Sequence, residues 1–196
     1  LELVKNGRPL AELAVELRDD AGRPVAAGRT GAVFVRGASV ARGYYRNEDA
    51  TRASFSADGW LDTGDLGCLV DGELVVIGRR KDLIIVRGKN HAAIDLEWAA
   101  ETVDGVRPGS VAAFASFDEG EGTEAPVVCF EVAPEESAWS RGAIAAQVQE
   151  AVLAHTGLRL RDVLLLPPGT VPKTTSGKVQ RSRVRSMYLE GELRTC

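Results

Sequence analysis

The sequence predicts an α+β chain in two parts, a β-rich first part and a mixed second part, joined by a short charged segment. Three observations carry this. Up to about residue 78, apolar and polar residues alternate at the two-residue period of half-buried strands. From about Ile94 onward, stretches with helical spacing alternate with short apolar runs of the kind that form buried strands. Between them stands GRRKD, Gly78 to Asp82, where the first pattern stops and the second has not begun. The expected organisation is residues 1–78, a joint over 79–82, and residues 83–196.

Each element has a local reason. LAVELRD (Leu13–Asp19) alternates, and AGRP then turns the chain. TGAVFVRG (Thr30–Gly37) is a second strand, with Val33 and Val35 on one face. Asn47 is placed to cap a short helix through Asp49–Phe55. DTGDLG (Asp62–Gly67) reads as a turn between strands. Asp71-Gly72 is a hairpin signal before the strand GELVVIG (Gly72–Gly78). Leu83–Val86 forms a strand closed by Gly88. A helix begins near Ile94, shows Ile94, Trp98 and Glu101 at helical spacing, carries Asp95 and Glu97 where they suit its dipole, and ends near Asp104-Gly105. VAAFAS (Val111–Ser116) and PVVCFEV (Pro126–Val132) are expected buried strands. Ser140 is the expected cap of a helix reaching about His155 and ended by Gly157. DVLLLP (Asp162–Pro167) is a last strand, and a basic helix runs from about Gln180 to Leu189.

Composition narrows the function classes. The chain has 196 residues, 44% hydrophobic and 27% charged, with a net charge of −4. That is enough to bury a core without staples, and it makes no case for nucleic acid or an anionic membrane. Charge is uneven. Residues 95–136 hold eleven Asp/Glu and one Arg, a balance of −10, whereas residues 156–196 hold eight Lys/Arg and three Asp/Glu, a balance of +5. The acidic stretch includes DEGEGTE (Asp118–Glu124), expected to be a solvated loop. Cys68, Cys129 and Cys196 are too scattered for a disulfide framework or a zinc pair, which fits a reducing, cytoplasmic setting. No apolar run approaches the ~20 residues of a membrane span. The chain opens on Leu in mid-pattern, which points to a piece of a longer protein.

PKTTSGKVQR (Pro172–Arg181) puts a lysine behind a glycine and a run of hydroxylated residues, as phosphate loops do. The spacing excludes a Walker A loop: Gly169 precedes Gly177 by eight positions rather than five, and Val179 stands where a metal-binding Ser or Thr is needed. The alternatives are a lysine aimed at another negative charge and a solvated surface loop. Asp62 and Asp65, in a Gly-rich turn, are placed to accept from vicinal hydroxyls such as those of a ribose; an ordinary Asx-type turn is the plainer reading. Arg79 is a permanently charged donor. Lys81 and Asp82 could form a hinge, because charged groups at element ends can re-pair when the backbone turns, or a solvated charge cluster. With only His91 and His155 in the chain, a His-based metal site is not expected. Tyr44, Tyr45 and Trp60 read as packing aromatics.

The order of these motifs says more than each alone. VRGASVARGYY, WLDTGDLG, GRRKDLIIVRGKNH and PKTTSGKVQR, in that sequence, resemble the C-terminal third of the adenylate-forming superfamily of acyl-CoA synthetases, peptide-synthetase adenylation domains and luciferases. DLIIVRGKNH with DLE after it, RPGSVAAFA, and LLLPPGTVPKTTSGKVQRSRVR with YLEGEL look most like its fatty acyl-AMP ligase branch. Two departures are Ala92-Ala93, where that branch commonly has Tyr-Pro, and Asp62, where Arg is common before TGD. The resemblance implies the last β-rich subdomain of a large domain, a hinge, and a small α+β C-terminal lid. It implies adenylation of a carboxylic acid by ATP with Mg²⁺, then transfer of the acyl group to the phosphopantetheine thiol of an acyl carrier protein. Asp65 would bind the ribose hydroxyls, Arg79 would support the ribose, and Lys81 with Asp82 would form the hinge. Lys178 would bridge substrate carboxylate and α-phosphate in adenylation, then withdraw. The superfamily's phosphate loop, acyl pocket and Mg²⁺-holding acid would all lie before Leu1, so this chain alone is expected to be inactive. Two rivals stand beside this reading: an acyl-CoA ligase with CoA as acceptor, and a non-catalytic module docking a carrier protein through Arg181, Arg183 and Arg185.

Overall fold

The computed structural model describes residues 4–118, 120, 122–132 and 138–196. The chain divides into two compact units, Leu1–Lys81 and Asp82–Cys196.

The first unit is a four-stranded antiparallel sheet in sequential order: β1 (Leu13–Arg18), β2 (Gly31–Gly37), β3 (Leu61–Val70) and β4 (Glu73–Arg79), with a short helix α1 (Glu48–Ser54) between β2 and β3. Asn47 caps α1 by accepting a hydrogen bond from the Ala50 amide at 3.0 Å. The β3–β4 turn has φ of 53° at Asp71 and 76° at Gly72, the left-handed pair that matches hairpin twist. Leu17, Ala32, Val33, Trp60, Cys68 and Val75 are buried in this unit. Tyr44, though partly exposed, meets the Phe55 ring edge-on at 6.1 Å, whereas Tyr45, expected to pack, is exposed with Arg46 over its ring.

The DTGDLG stretch is not a turn between strands but part of β3. The turn chemistry foreseen there is present, folded into a bulge: the register with β2 runs from Ala32↔Leu66 to Phe34↔Asp62, leaving extra residues on β3. Asp62 Oδ1 accepts from the Gly64 amide at 2.9 Å, Thr63 Oγ1 donates to the Val33 carbonyl at 2.9 Å, and Gly64 takes φ +74°. Asx geometry thus bends a strand that continues on both sides.

The second unit begins with a hairpin, β5 (Leu83–Val86) and β6 (Lys89–Ala92), and helix α2 (Ala93–Glu101). Then come β7 (Val106–Asp118), β8 (Thr123–Val132), helix α3 (Ala138–Thr156), β9 (Asp162–Leu166) and helix α4 (Arg181–Leu189). The sheet runs β7-β8-β9, antiparallel then parallel, α3 supplying the crossover that a parallel pair needs. Alternate strand residues point to opposite faces. Val111, Ala113, Val128 and Phe130 join α2 and α3 residues in one buried cluster; Ala112, Phe114, Val127, Cys129 and Leu166 join Val171 and Val184 of the C-terminal segment in another. Both faces are covered, which is why Val127–Phe130 is an unbroken apolar run.

Two helix expectations change. The buried face of α2 is Ala93, Leu96, Ala99 and Ala100, while Trp98 is 53% exposed. Small alanines let α2 lie close to its neighbours, so the largest apolar side chain is not the buried one. Helix α3 starts by Ala138, so Ser140 lies within it rather than capping it; its end is as expected, with Gly157 at φ +73° and its amide bonded to the Leu153 carbonyl at 2.9 Å. The acidic DEGEGTE loop lies partly outside the described residues.

Candidate active site

Asp65 and Arg79 sit directly opposite each other on β3 and β4, and Arg79 Nε lies 3.4 Å from Asp65 Oδ1. The bulge places Asp65 here: its amide donates to Thr63 Oγ1 at 3.1 Å, which fixes the strand just before it. The Asp65 side chain is 30% exposed, and among the described residues nothing occupies its second oxygen. The pair presents a carboxylate that can accept two hydroxyl donors, with a guanidinium beside it. Arg80 Nη2 meets Asp62 Oδ2 at 2.7 Å in the same unit. Asp62 thus has two uses, closing the bulge and pairing with Arg80, which accounts for a carboxylate at that position.

Lys81 lies in the single 3₁₀ turn Arg80–Asp82, and the division between units falls just after it. Asp82 opens the second unit and is bound within it by Arg181 at 2.7 Å.

Lys178 stands on a small, closed hairpin. Lys173 and Val179 form an antiparallel bridge, the Thr174 amide donates to the Lys178 carbonyl at 2.8 Å, and the Gly177 amide donates back to the Thr174 carbonyl at 2.9 Å. Thr174 Oγ1 accepts from the Lys178 amide at 3.1 Å and lies 2.9 Å from Ser176 Oγ. Gly177 takes φ +82°, a conformation that favours glycine. The hydroxylated run therefore builds the turn, and Lys178 is left exposed with no partner for its ammonium among the described residues.

The hairpin is fastened at both ends to groups that sequence reasoning passed over. On the near side, Glu131 is 1% exposed; its Oε1 accepts from the Val171 amide and its Oε2 from Arg107 Nη1, each at 2.9 Å. Burial pushes this carboxyl up, but the Gly169 and Val171 amides and the Arg107 guanidinium outweigh it and hold it below the usual carboxylate range. Lys173 Nζ donates to buried Ser110 at 2.8 Å, and Val171 is buried against the sheet. On the far side, Arg181 grips the Glu97 carboxylate with Nε at 2.5 Å and Nη2 at 2.7 Å, and reaches Asp82 with Nη1. Hydrogen bonds to Glu97 raise the Arg181 pKa further above its ordinary value. Glu97 Oε1 also accepts from the Ala113 amide at 3.0 Å.

Arg181, read as part of a basic helix and a possible docking surface, and Glu97, read as serving the α2 dipole, instead bind each other. Arg185 Nε likewise turns inward, donating to the Ala115 carbonyl at 2.8 Å. An ion pair between residues 84 positions apart in sequence leaves no local signal. The one available hint for Glu131 was an acid inside the apolar run PVVCFEV, which a buried strand tolerates only with partners. Among the described residues no three His, Cys, Asp or Glu side chains gather where they could hold a metal ion. No helix among the described residues is long and apolar enough to cross a membrane.

No protein-family model matches the chain. A Caulobacter vibrioides protein named as an acyl-CoA synthetase is 38% identical over 191 residues, 97% of this chain and 33% of its own length. The long-chain-fatty-acid–AMP ligase FadD32 of Mycolicibacterium smegmatis is 31% identical over 221 residues, 94% of this chain and 35% of its own. The chain is a homologue of the adenylate-forming ligases. It spans about a third of the length of the curated relatives it matches. Solved adenylate-forming structures share its fold. McyG A-PCP complexed with phenylalanyl-adenylate aligns at TM-score 0.88 and 32% identity, over 96% of this chain and 34% of that one. A structure from a study of fatty acyl-adenylate ligases from E. coli and L. pneumophila aligns at 0.84 and 33% identity, over 96% of this chain and 33% of that one. The α+β architecture is as foreseen, and the likeness to adenylate-forming enzymes seen in the ordered motifs is matched by these homologues and structures.

Proposed function

We propose that this chain is the C-terminal part of an ATP-dependent fatty acyl-AMP ligase: the final β-rich subdomain, a hinge at Arg79–Asp82 turning on Lys81, and an α+β lid. The observation that carries the reading is Lys178, a cation without a partner among the described residues, on a hairpin fastened at both ends. In adenylation a carboxylate oxygen attacks the α-phosphorus of ATP, and the bond to pyrophosphate breaks. Two anions must meet, and a fixed cation stabilises most where negative charge gathers in the transition state. Lys178 supplies that charge. Asp65 accepts from the ribose hydroxyls, and Arg79, paired with it, orients it and supports the ribose. ATP brings the leaving group and, with Mg²⁺ held by residues outside this chain, its own charge compensation. In the second step a thiol attacks the acyl carbonyl and AMP leaves, a step that does not need Lys178.

The acceptor divides two readings. Relatives bear both names, fatty-acid–CoA ligase and fatty-acid–AMP ligase, and a carrier domain is part of the McyG A-PCP structure. We favour the phosphopantetheine of an acyl carrier protein, on the fatty acyl-AMP ligase likeness. The docking-module reading is weakened because Arg181 and Arg185 are used internally. The full-length protein, given ATP, Mg²⁺, a panel of fatty acids, and CoA in competition with holo-carrier protein, is expected to yield acyl-AMP and acyl-carrier by mass spectrometry. Abundant acyl-CoA would overturn the choice of acceptor and leave the adenylation chemistry standing.

A further inference from the structure

We propose that Arg181 is a positioning residue for adenylation, acting through Lys178 by locking the lysine hairpin to Asp82 and Glu97. The inference rests on the reading of Lys178 given above. Lys178, Val179, Gln180 and Arg181 are consecutive, so a guanidinium fixed at Arg181 fixes where the hairpin leaves the lid. The fork is fully engaged: two nitrogens on Glu97 and one on Asp82, all within the second unit. Glu97 is itself held, 5% exposed and bonded to the Ala113 amide of β7. Gln180 adds a brace, its amide donating to the Pro172 carbonyl at 2.9 Å and its side chain to the Lys173 carbonyl at 2.8 Å. Asp82 immediately follows Lys81. The pivot's neighbour and the base of the hairpin are therefore tied by one side chain, and a turn at Lys81 carries Lys178 with it as one body. Lysine at position 181 cannot reproduce this, because an ammonium lacks the planar fork that holds Glu97 at two points while reaching Asp82.

The test uses the full-length protein carrying Arg181→Lys, Arg181→Met, Lys178→Ala and the double variant Lys178→Ala/Arg181→Met. Two rates are measured: acyl-AMP formation in a single turnover, and thioester formation from supplied acyl-AMP. A misplaced catalytic group is costly even when the shift is small. Arg181→Lys is therefore expected to slow adenylation at least about tenfold, mostly in the rate constant rather than in the KM for ATP. Thioester formation should stay within about twofold of the parent, a split that a general loss of structure would not produce. In the Lys178→Ala background Arg181→Met should cost adenylation almost nothing more, because its effect passes through the missing lysine. If Lys178→Ala slows adenylation but Arg181→Lys leaves both rates unchanged, or lowers both equally, the positioning role is wrong. If Arg181→Met fails to fold, Arg181→Lys with Lys178→Ala/Arg181→Lys decides by the same comparison. If Lys178→Ala itself leaves adenylation intact, the underlying reading of Lys178 fails instead.

Discussion

Two carboxylates, Asp65 and Glu131, show how differently the same chemical group is used. Asp65 is partly open, with one oxygen beside Arg79 and the other without a protein partner among the described residues. Asp65→Asn keeps the shape and removes the charged acceptor, a hydrogen-bonding contribution of roughly 1.5–3 kcal/mol. The expected result is a KM for ATP raised about tenfold or more with little change in melting temperature. Glu131 is closed off and structural, and its test is pH. Its folded pKa is depressed, so its contribution is complete above the unfolded carboxylate value of about 4.3 and is lost as pH falls through the lower folded value. The stability difference between parent and Glu131→Gln should thus be flat at neutral pH and shrink below about pH 4. A difference that does not shrink in acid would contradict the assignment. Residues with local motifs were the conspicuous ones in the sequence: Asp65, Arg79 and Lys178. Glu97, Glu131 and Arg181 were not, because their partners are distant in sequence and burial alone decides their meaning.

At the scale of elements, hairpin signals were easy to read and irregular strands were not. Asp71-Gly72 forms the turn its sequence demands. DTGDLG carries the same kinds of residue, yet the chain continues as β3, because Asp62 and Thr63 satisfy the bulge from within, β2 pairs on both sides of it and β4 takes up the strand from Asp65 onward. Gly67 is tightly enclosed: a Cβ there would meet the Val75 carbonyl oxygen at 2.8 Å and Val33 Cγ2 at 3.0 Å. Neither can withdraw without disturbing the sheet. Gly67→Ala is therefore expected to destabilise the first unit by about 1–3 kcal/mol, read as a lower denaturation midpoint at unchanged slope. In α2 the period was legible but the face was not, since Trp98 outweighed the alanines that do the packing.

Across the whole molecule, each unit carries its own buried core, and the second is organised around a sheet with helices α2 and α3 on one face and α4 with the Lys178 hairpin on the other. Val184 of α4 is fully buried, and Tyr188 packs on Phe114 at 5.4 Å. The hairpin is thereby a projection of a packed layer, and the hinge we propose lies before it in the chain, at Arg79–Asp82. The superfamily and the α+β class could be read from the order of motifs, whereas the anchoring of the lysine could not, because it depends on which strand residues share a face.

The most direct test of the account is the rate of acyl-AMP formation by the full-length protein with Lys178 intact and with Lys178→Ala. The account predicts a fall of about 10²–10³-fold, the scale on which loss of a group that stabilises transition-state charge is felt, with thioester formation from supplied acyl-AMP preserved. Adenylation at the parent rate by Lys178→Ala would contradict it.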